Sequence, residues 1–396
     1  MLAVPFPTRI VASLKAAEAK PRAGTELDLL PTPFRRDSTP LSVEQANSRG
    51  GMMKGKPTHG ASTLVLLGVL AAVGIGALVS TAHATAPGKN GEIAFKRYLD
   101  TERSTGAIFT IDANGKAGRQ VTKPEPGVVD DQPDWSPNGS LLVFHRSGIP
   151  TAIYTVKPDG SDLTRLSPPC SAPPPEIETK CEDGSGASFL PDGKHVVYTR
   201  ATGKIREFPG GEQWIQHSDI VLRDANGANP RVLIRSRPYS GDYASAQFSP
   251  DGTQFVYTRE NSPLTKPVGG HALFVARSNG SHRRQLTPWS LDAGDNPDWS
   301  PNGELIVFRS PSHEFEGSQI YVIRPDGTGL RQLTHFNPGT SVLSYSFSPD
   351  GEWITFAKSG VGGEPDIFVM RANGTGIRPV TRTALWDSAP DWGSAR

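Results

Sequence analysis

Only two cysteines occur in the 396 residues, Cys170 and Cys181, and both fall in one proline-rich loop. So sparse a supply excludes a disulfide-dense scaffold. It also excludes a multi-cysteine zinc framework, since no C-x-x-C spacing or nearby His pair accompanies the two thiols. An excess of one charge is missing too: 41 basic and 40 acidic side chains leave a net charge of +1, with no basic stripe. Nucleic acid is therefore not an expected partner. No Gly-x-Ser-x-Gly elbow is present, nor an α/β region that could carry one. His313-Glu314-Phe315-Glu316 lacks the second His of a zinc-protease helix, and the scattered His145, His195, His217, His271, His282 and His335 show no ligand spacing. Long apolar runs are absent but for residues 64–79.

What the chain has is a repeat. Pro133-Asp134-Trp135-Ser136-Pro137-Asn138-Gly139 returns almost letter for letter at Pro297-Asp298-Trp299-Ser300-Pro301-Asn302-Gly303. Looser copies hold Phe189, Phe248 and Phe347 at the aromatic position, and a last one ends at Pro390-Asp391-Trp392-Gly393. A regular spacing of this order signals a solenoid or propeller. Ser-Pro-Asp/Asn-Gly predicts a tight turn, with Pro setting φ at its second position and Gly accepting the positive φ that closes it. Strand-like runs such as Ile354-Thr355-Phe356 follow, then a third strand such as Ile320-Tyr321-Val322-Ile323, then an Asn-Gly or Asp-Gly turn and a short fourth strand. Four antiparallel strands per copy make a propeller blade. The final copy supplies one innermost strand, and Asn90-Gly91-Glu92-Ile93-Ala94-Phe95 reads as the rest of that blade. The expected fold is all-β: a six-bladed β-propeller over 85–396, closed by terminal strands that share one blade and leave no free edge.

The pattern Pro-x-Trp-Ser-Pro-Asp/Asn-Gly-x-x-Ile-x-Phe, followed by Gln-Ile-Tyr-Val-x-x-x-Asp-Gly and Arg-Gln-Leu-Thr, resembles the WD40-like repeat of TolB-type β-propellers across roughly 88–393. Propellers of this type serve binding proteins, peptidase gates and enzymes alike. TolB itself places an α/β domain before its propeller, and the 84 residues before this one cannot supply it. A role in the Tol–Pal system therefore does not follow from the resemblance.

Residues 1–60 are rich in Pro, Arg, Lys and Ser and are expected to be a disordered leader; Met52 or Met53 would suit an ordinary signal peptide, so the first fifty residues read as a mis-assigned gene start. Residues 61–84 run from a basic flank (Lys54, Lys56) through an apolar centre to Ala82-His83-Ala84. That is the layout of a secretory signal peptide, and the uncharged stretch also just reaches the length of a membrane anchor. Either reading puts the propeller outside the cytoplasm, periplasmic, extracellular or membrane-anchored, where Cys170 and Cys181 would form a disulfide.

Blade alternation sends the uniform turns to one face and the variable connections (168–186, 201–218, 260–271, 288–294, 310–318) to the other. Binding residues concentrate in such connections. There the sequence offers Arg146, Arg200, Arg259, Arg309 and Lys358 after second strands, and Asp130, Asp131, Asp295 and Asp387 before first strands. Trp214, Trp289 and Trp386 stand in the same connections. These residues form the expected ligand-binding face, unless each Arg simply pairs with an Asp of its own or the next blade. No catalytic residue is assigned and no cofactor is required; Asp131, Asp295 and Asp387 are the candidates if the channel holds calcium. The expected function is a monomeric, non-enzymatic module that binds a protein or peptide of the cell envelope. The alternative is a propeller lyase or hydrolase acting on a saccharide or lactone with a channel metal.

Overall fold

The computed structural model describes residues 85–148, 151–168, 183–208, 211–236, 243–261, 270–294, 296–311, 317–360 and 362–396. All lie in the second of two compact units, Ile75–Arg396. The repeat turns form as their residues dictate. Gly139, Gly193, Gly252, Gly303 and Gly351 all adopt positive φ, and each donates its N–H to the carbonyl three residues back, as Gly303 does to Ser300 (2.8 Å). The Ser hydroxyl locks the turn from inside: Ser300 Oγ accepts the Leu305 N–H (2.9 Å) and donates to Asn302 (2.7 Å).

Each of four sheets holds four antiparallel strands in sequence order: Asp183–Phe189 to Arg231–Ile234, Tyr243–Phe248 to Arg284–Gln285, Asp298–Trp299 to Arg331–Gln332, and Ser341–Phe347 to Arg378–Pro379. The core lies between sheets, where one sheet's aromatics meet its neighbour's aliphatics; Trp299, Phe308 and Phe347 are packed with Val256 and Ile354 in one cluster. Close approach of neighbours depends on the second turn. At Gly280 and Gly374, φ is positive and a Cβ would lie 2.1 Å and 2.3 Å from the Leu233 and Leu333 carbonyls of the preceding sheet. Any other residue would push the sheets apart there.

Closure by the chain ends is present. Asn90–Tyr98 pairs antiparallel with Asp387–Ser394, from Asn90↔Ser394 to Arg97↔Asp387. The expectation of six separate four-stranded blades is corrected. Hydrogen bonding gives four such blades, and in place of two more a single eight-stranded sheet. In it the closing strands, with Gly106–Ile111 and Arg119–Gln120, join the four strands from Val129–Trp135 to Thr164–Arg165. The joint is a parallel bridge, Gly106↔Val129. It exists because Gly106 has no side chain: a Cβ there would stand 2.8 Å from Val129 Cγ1.

Two further expectations are withdrawn. Among the described residues no helix is long and apolar enough to cross a membrane, and no disulfide is present. Segment 61–84, the leader before it, Cys170 and Cys181 lie outside the described residues.

Candidate functional site

The axis is lined by six innermost strands, five of which carry a one-residue slip. Register slips by one residue between Asp131 and Asp134, Ser185 and Ser188, Ala244 and Gln247, and Val342 and Tyr345. The same slip occurs between Ser388 and Asp391. Gln132, Gly186, Ser245, Asn296 and Ala389, each three residues before its strand's aromatic, have left-handed φ between 50° and 58°. A bulge of this kind re-aims the side chains beside it. Here the re-aimed residues line an open recess that includes Gln132, Ser245, Asn296 and Ser344.

Just below the bulge, the residue preceding each aromatic faces the axis: Asp134, Ser188, Gln247, Asp298, Ser346 and Asp391. These side chains stitch neighbouring strands. Asp134 accepts the Phe189 N–H, Asp298 the Phe347 N–H and Asp391 the Trp135 N–H, each at 2.7 Å. Ser188 Oγ donates to Gln247 (2.6 Å) and Ser346 Oγ to Asp391 (2.8 Å), and Trp299 Nε1 donates to the Gln247 carbonyl (3.0 Å). The ring is closed by polar contacts around its whole circumference.

Three carboxylates therefore face one another, with no cation among the described side chains that line the cavity. Asp298 is buried; Asp134 and Asp391 are half-buried and line the axial cavity. Burial pushes all three pKa values up, and mutual repulsion with Asp391 adds to this at Asp134 and Asp298. Asp298 reaches about 7 and Asp391 about 6. Such a ring can exchange protons near neutral pH or hold a positive group.

The rim residues expected as the binding face are arranged differently. Arg146 makes a bidentate pair with buried Asp130 (2.6 and 2.8 Å), and Arg97 does the same with Asp387 (2.7 and 2.6 Å). Arg200 reaches Asp219 (2.9 Å) on the adjacent strand. Asp131 is held by the Lys96 ammonium (2.7 Å). Two of the three calcium candidates, Asp131 and Asp387, are thus each taken up by a different cation, and Asp295 lies outside the described residues. Among the described residues no group of three or more His, Cys, Asp or Glu is placed to hold a metal ion.

Arg309 is buried and donates to the Val342 carbonyl (2.9 Å). The Arg259 guanidinium lies over the Phe274 and Trp289 rings, and the Lys358 ammonium over Phe368, 4.4 Å from its centroid. Burial lowers the Lys358 pKa against the pull of Asp366. Trp386 packs edge-on to Tyr98 beneath the Arg103 guanidinium. Trp214 sits opposite Ile205 in the pairing of His195–Phe208 with Gly211–Asp224.

Sequence reasoning missed Asp134, Asp298 and Asp391, although each is the Asp of a Pro-Asp-Trp copy. The signal available was that Asp precedes the aromatic in three copies and gives way only to Ser or Gln in the others.

Residues 209–395 match the family described as the TolB beta propeller domain. A "Protein TolB homolog" of Chlorobium luteolum is 34% identical over 37% of this chain and 29% of its own length. "Dipeptidyl-peptidase 5" of Porphyromonas endodontalis is 32% identical over 27% of this chain and 15% of its own. The chain thus spans under a third of the curated relatives it matches here. The crystal structure of TolB from Acinetobacter baumannii superposes with a TM-score of 0.58 at 18% identity, covering 77% of this chain and 67% of that one. These likenesses support a TolB-like β-propeller domain, closed by its own terminal strands.

Proposed function

We propose that this propeller is an exported, non-enzymatic module that binds a protein partner through its variable-loop face. One observation carries the reading. The strands His195–Phe208 and Gly211–Asp224 pair with each other along their whole length. Among the described residues their outer neighbours pair with them only as far as Ala201 on one side and Ile220 on the other. Residues 202–208 and 211–217 therefore run on as a two-stranded ribbon that pairs with no third strand among the described residues. At about 3.3 Å per residue it extends roughly 20 Å past the sheet. Among the described residues both edges of this ribbon lack a third strand, and an edge of that kind is the material of β-strand addition. Trp214 lies on it, and large aromatics anchor interfaces. The likeness to TolB propellers, some of them named as Tol-Pal system proteins, supports an envelope protein as the partner class.

The test is a chain in which residues 203–216 are replaced by a two-residue Asn-Gly turn. Retention of the envelope partner should fall by more than tenfold, and Trp214→Ala should lose part of the same affinity, a Trp anchor being worth about 2 kcal/mol or more. The melting temperature should hold in both, because the four-stranded part of the sheet is untouched. Undiminished retention by the shortened chain would overturn the reading.

A further inference from the structure

The axial cavity already has an occupant from the chain itself. Thr85 and Ala86 line it beside Asp134, Asp298 and Asp391, and Thr85 Oγ1 donates to Asp298 Oδ2 (3.3 Å). The segment is tied in place from several sides. Ser394 Oγ donates to the Ala86 carbonyl (2.9 Å), Gly88 N–H to the Pro349 carbonyl (3.0 Å) and Ala395 N–H to the Lys89 carbonyl (2.8 Å). Ala86 is buried. Among the described residues no Lys, Arg or His lines this cavity, and its carboxylates face no counter-charge from them.

Immediately before Thr85 stands Ala82-His83-Ala84, the small-x-small pattern after which a signal peptidase cuts. We propose that cleavage after Ala84 makes Thr85 the N-terminus and that its ammonium supplies the missing cation, pairing with Asp298 at the centre of the ring. The inference rests on the export reading above. The step is an amide hydrolysis. Water adds to the Ala84 carbonyl, the Ala84–Thr85 C–N bond breaks, Ala84 leaves as a carboxylate and the Thr85 amine takes up a proton. No redox partner is involved. The new nitrogen is joined through Cα and Cβ alone to the hydroxyl that already touches Asp298, which holds it in the neighbourhood of the carboxylates. An α-amino group has a pKa of about 7.7–8.0, and a neighbouring carboxylate favours its charged form. Removing the leader thus finishes the interior of the propeller as well as releasing it.

The full chain is expressed in an exporting host, alongside an Ala84→Tyr variant that the peptidase cannot cut. N-terminal sequencing of the exported protein should read Thr85. At pH 7 its α-amine should react with acetic anhydride about tenfold more slowly than in urea, the factor that one unit of added proton affinity gives. Asp298→Asn should restore fast labelling, with the circular dichroism of the folded chain unchanged. At pH 8 the same substitution should lower the melting temperature of the cut chain and raise that of the uncut one. A different N-terminus, labelling at the unfolded rate, or a substitution effect of one sign in both forms would overturn the proposal. Loss of partner binding in the shortened-ribbon chain leaves these readouts unmoved, so the two ideas fail separately.

Discussion

The rim and the axis use the same residue type in opposite electrostatic settings. At the rim, Asp130 and Asp387 are each clasped by a guanidinium through two hydrogen bonds. At the axis, Asp134, Asp298 and Asp391 are satisfied by backbone N–H groups and hydroxyls, and none of the described lining side chains is a cation. Rim carboxylates act as fixed struts between strands. Axial carboxylates act as a reservoir whose charge depends on pH and on what enters the cavity. What separates them is where the bulge in each innermost strand falls, since residues before it reach the rim and residues after it reach the axis.

The largest expected effect breaks the rim. Asp130→Ala leaves the half-buried Arg146 guanidinium without its partner and should cost about 3 kcal/mol in a denaturant titration, as loss of one member of a buried pair does. A cost below about 1 kcal/mol would place the rim pairs with ordinary solvated surface pairs and erase the contrast.

A smaller effect tests the axis. In the chain with the Ala84–Thr85 bond intact, folding raises the Asp298 pKa from 3.8 to about 7, so folding favours its protonated form. That contribution is complete below about pH 4 and is lost as pH climbs through 7; the uncut chain should therefore melt higher at pH 5 than at pH 8. The difference should be about 2–4 kcal/mol. Asp298→Asn keeps an acceptor for the Phe347 N–H and should flatten most of this slope. A profile that stays equally steep in the variant would assign the titration elsewhere.

The smallest effect sharpens the rim by going beyond it. Arg103 pairs with Glu364 (2.7 Å) and covers the Trp386 ring at 4.2 Å, but all three are partly open to solvent. Arg103→Ala should cost at most about 1 kcal/mol and lose even that in high salt. A cost matching that of Asp130→Ala would mean that burial is not what makes the rim struts strong.

Much of this architecture was legible because it rests on local rules. The turn glycines and the aromatic before each turn follow from residues near one another, and the closing strand from the same repeat reappearing in part at both ends of 85–396. The Arg–Asp pairs were legible as an alternative, since both partners recur at fixed places in the repeat. The joined sheet was not legible. It depends on one missing Cβ at Gly106 meeting Val129, a contact that repeat logic treats as a loop. The axial carboxylates escaped for a related reason. Strict alternation along Asp130-Asp131-Gln132-Pro133-Asp134 cannot say which acids face the axis until the extra residue at Gln132 resets the phase.

The pairing of Asn90 with Ser394 carries a mechanical consequence. The two closing strands run antiparallel, with the start of one against the end of the other. A load pulling Asn90 and Ser394 apart meets the hydrogen bonds of that ladder one after another, as a zipper does, instead of all at once in shear. The ladder that seals the ring is therefore the first to open when its two ends are drawn apart. A pull between the ends would release Asp387–Ser394 first and leave the other sheets intact, at a force well below that needed to shear any of them.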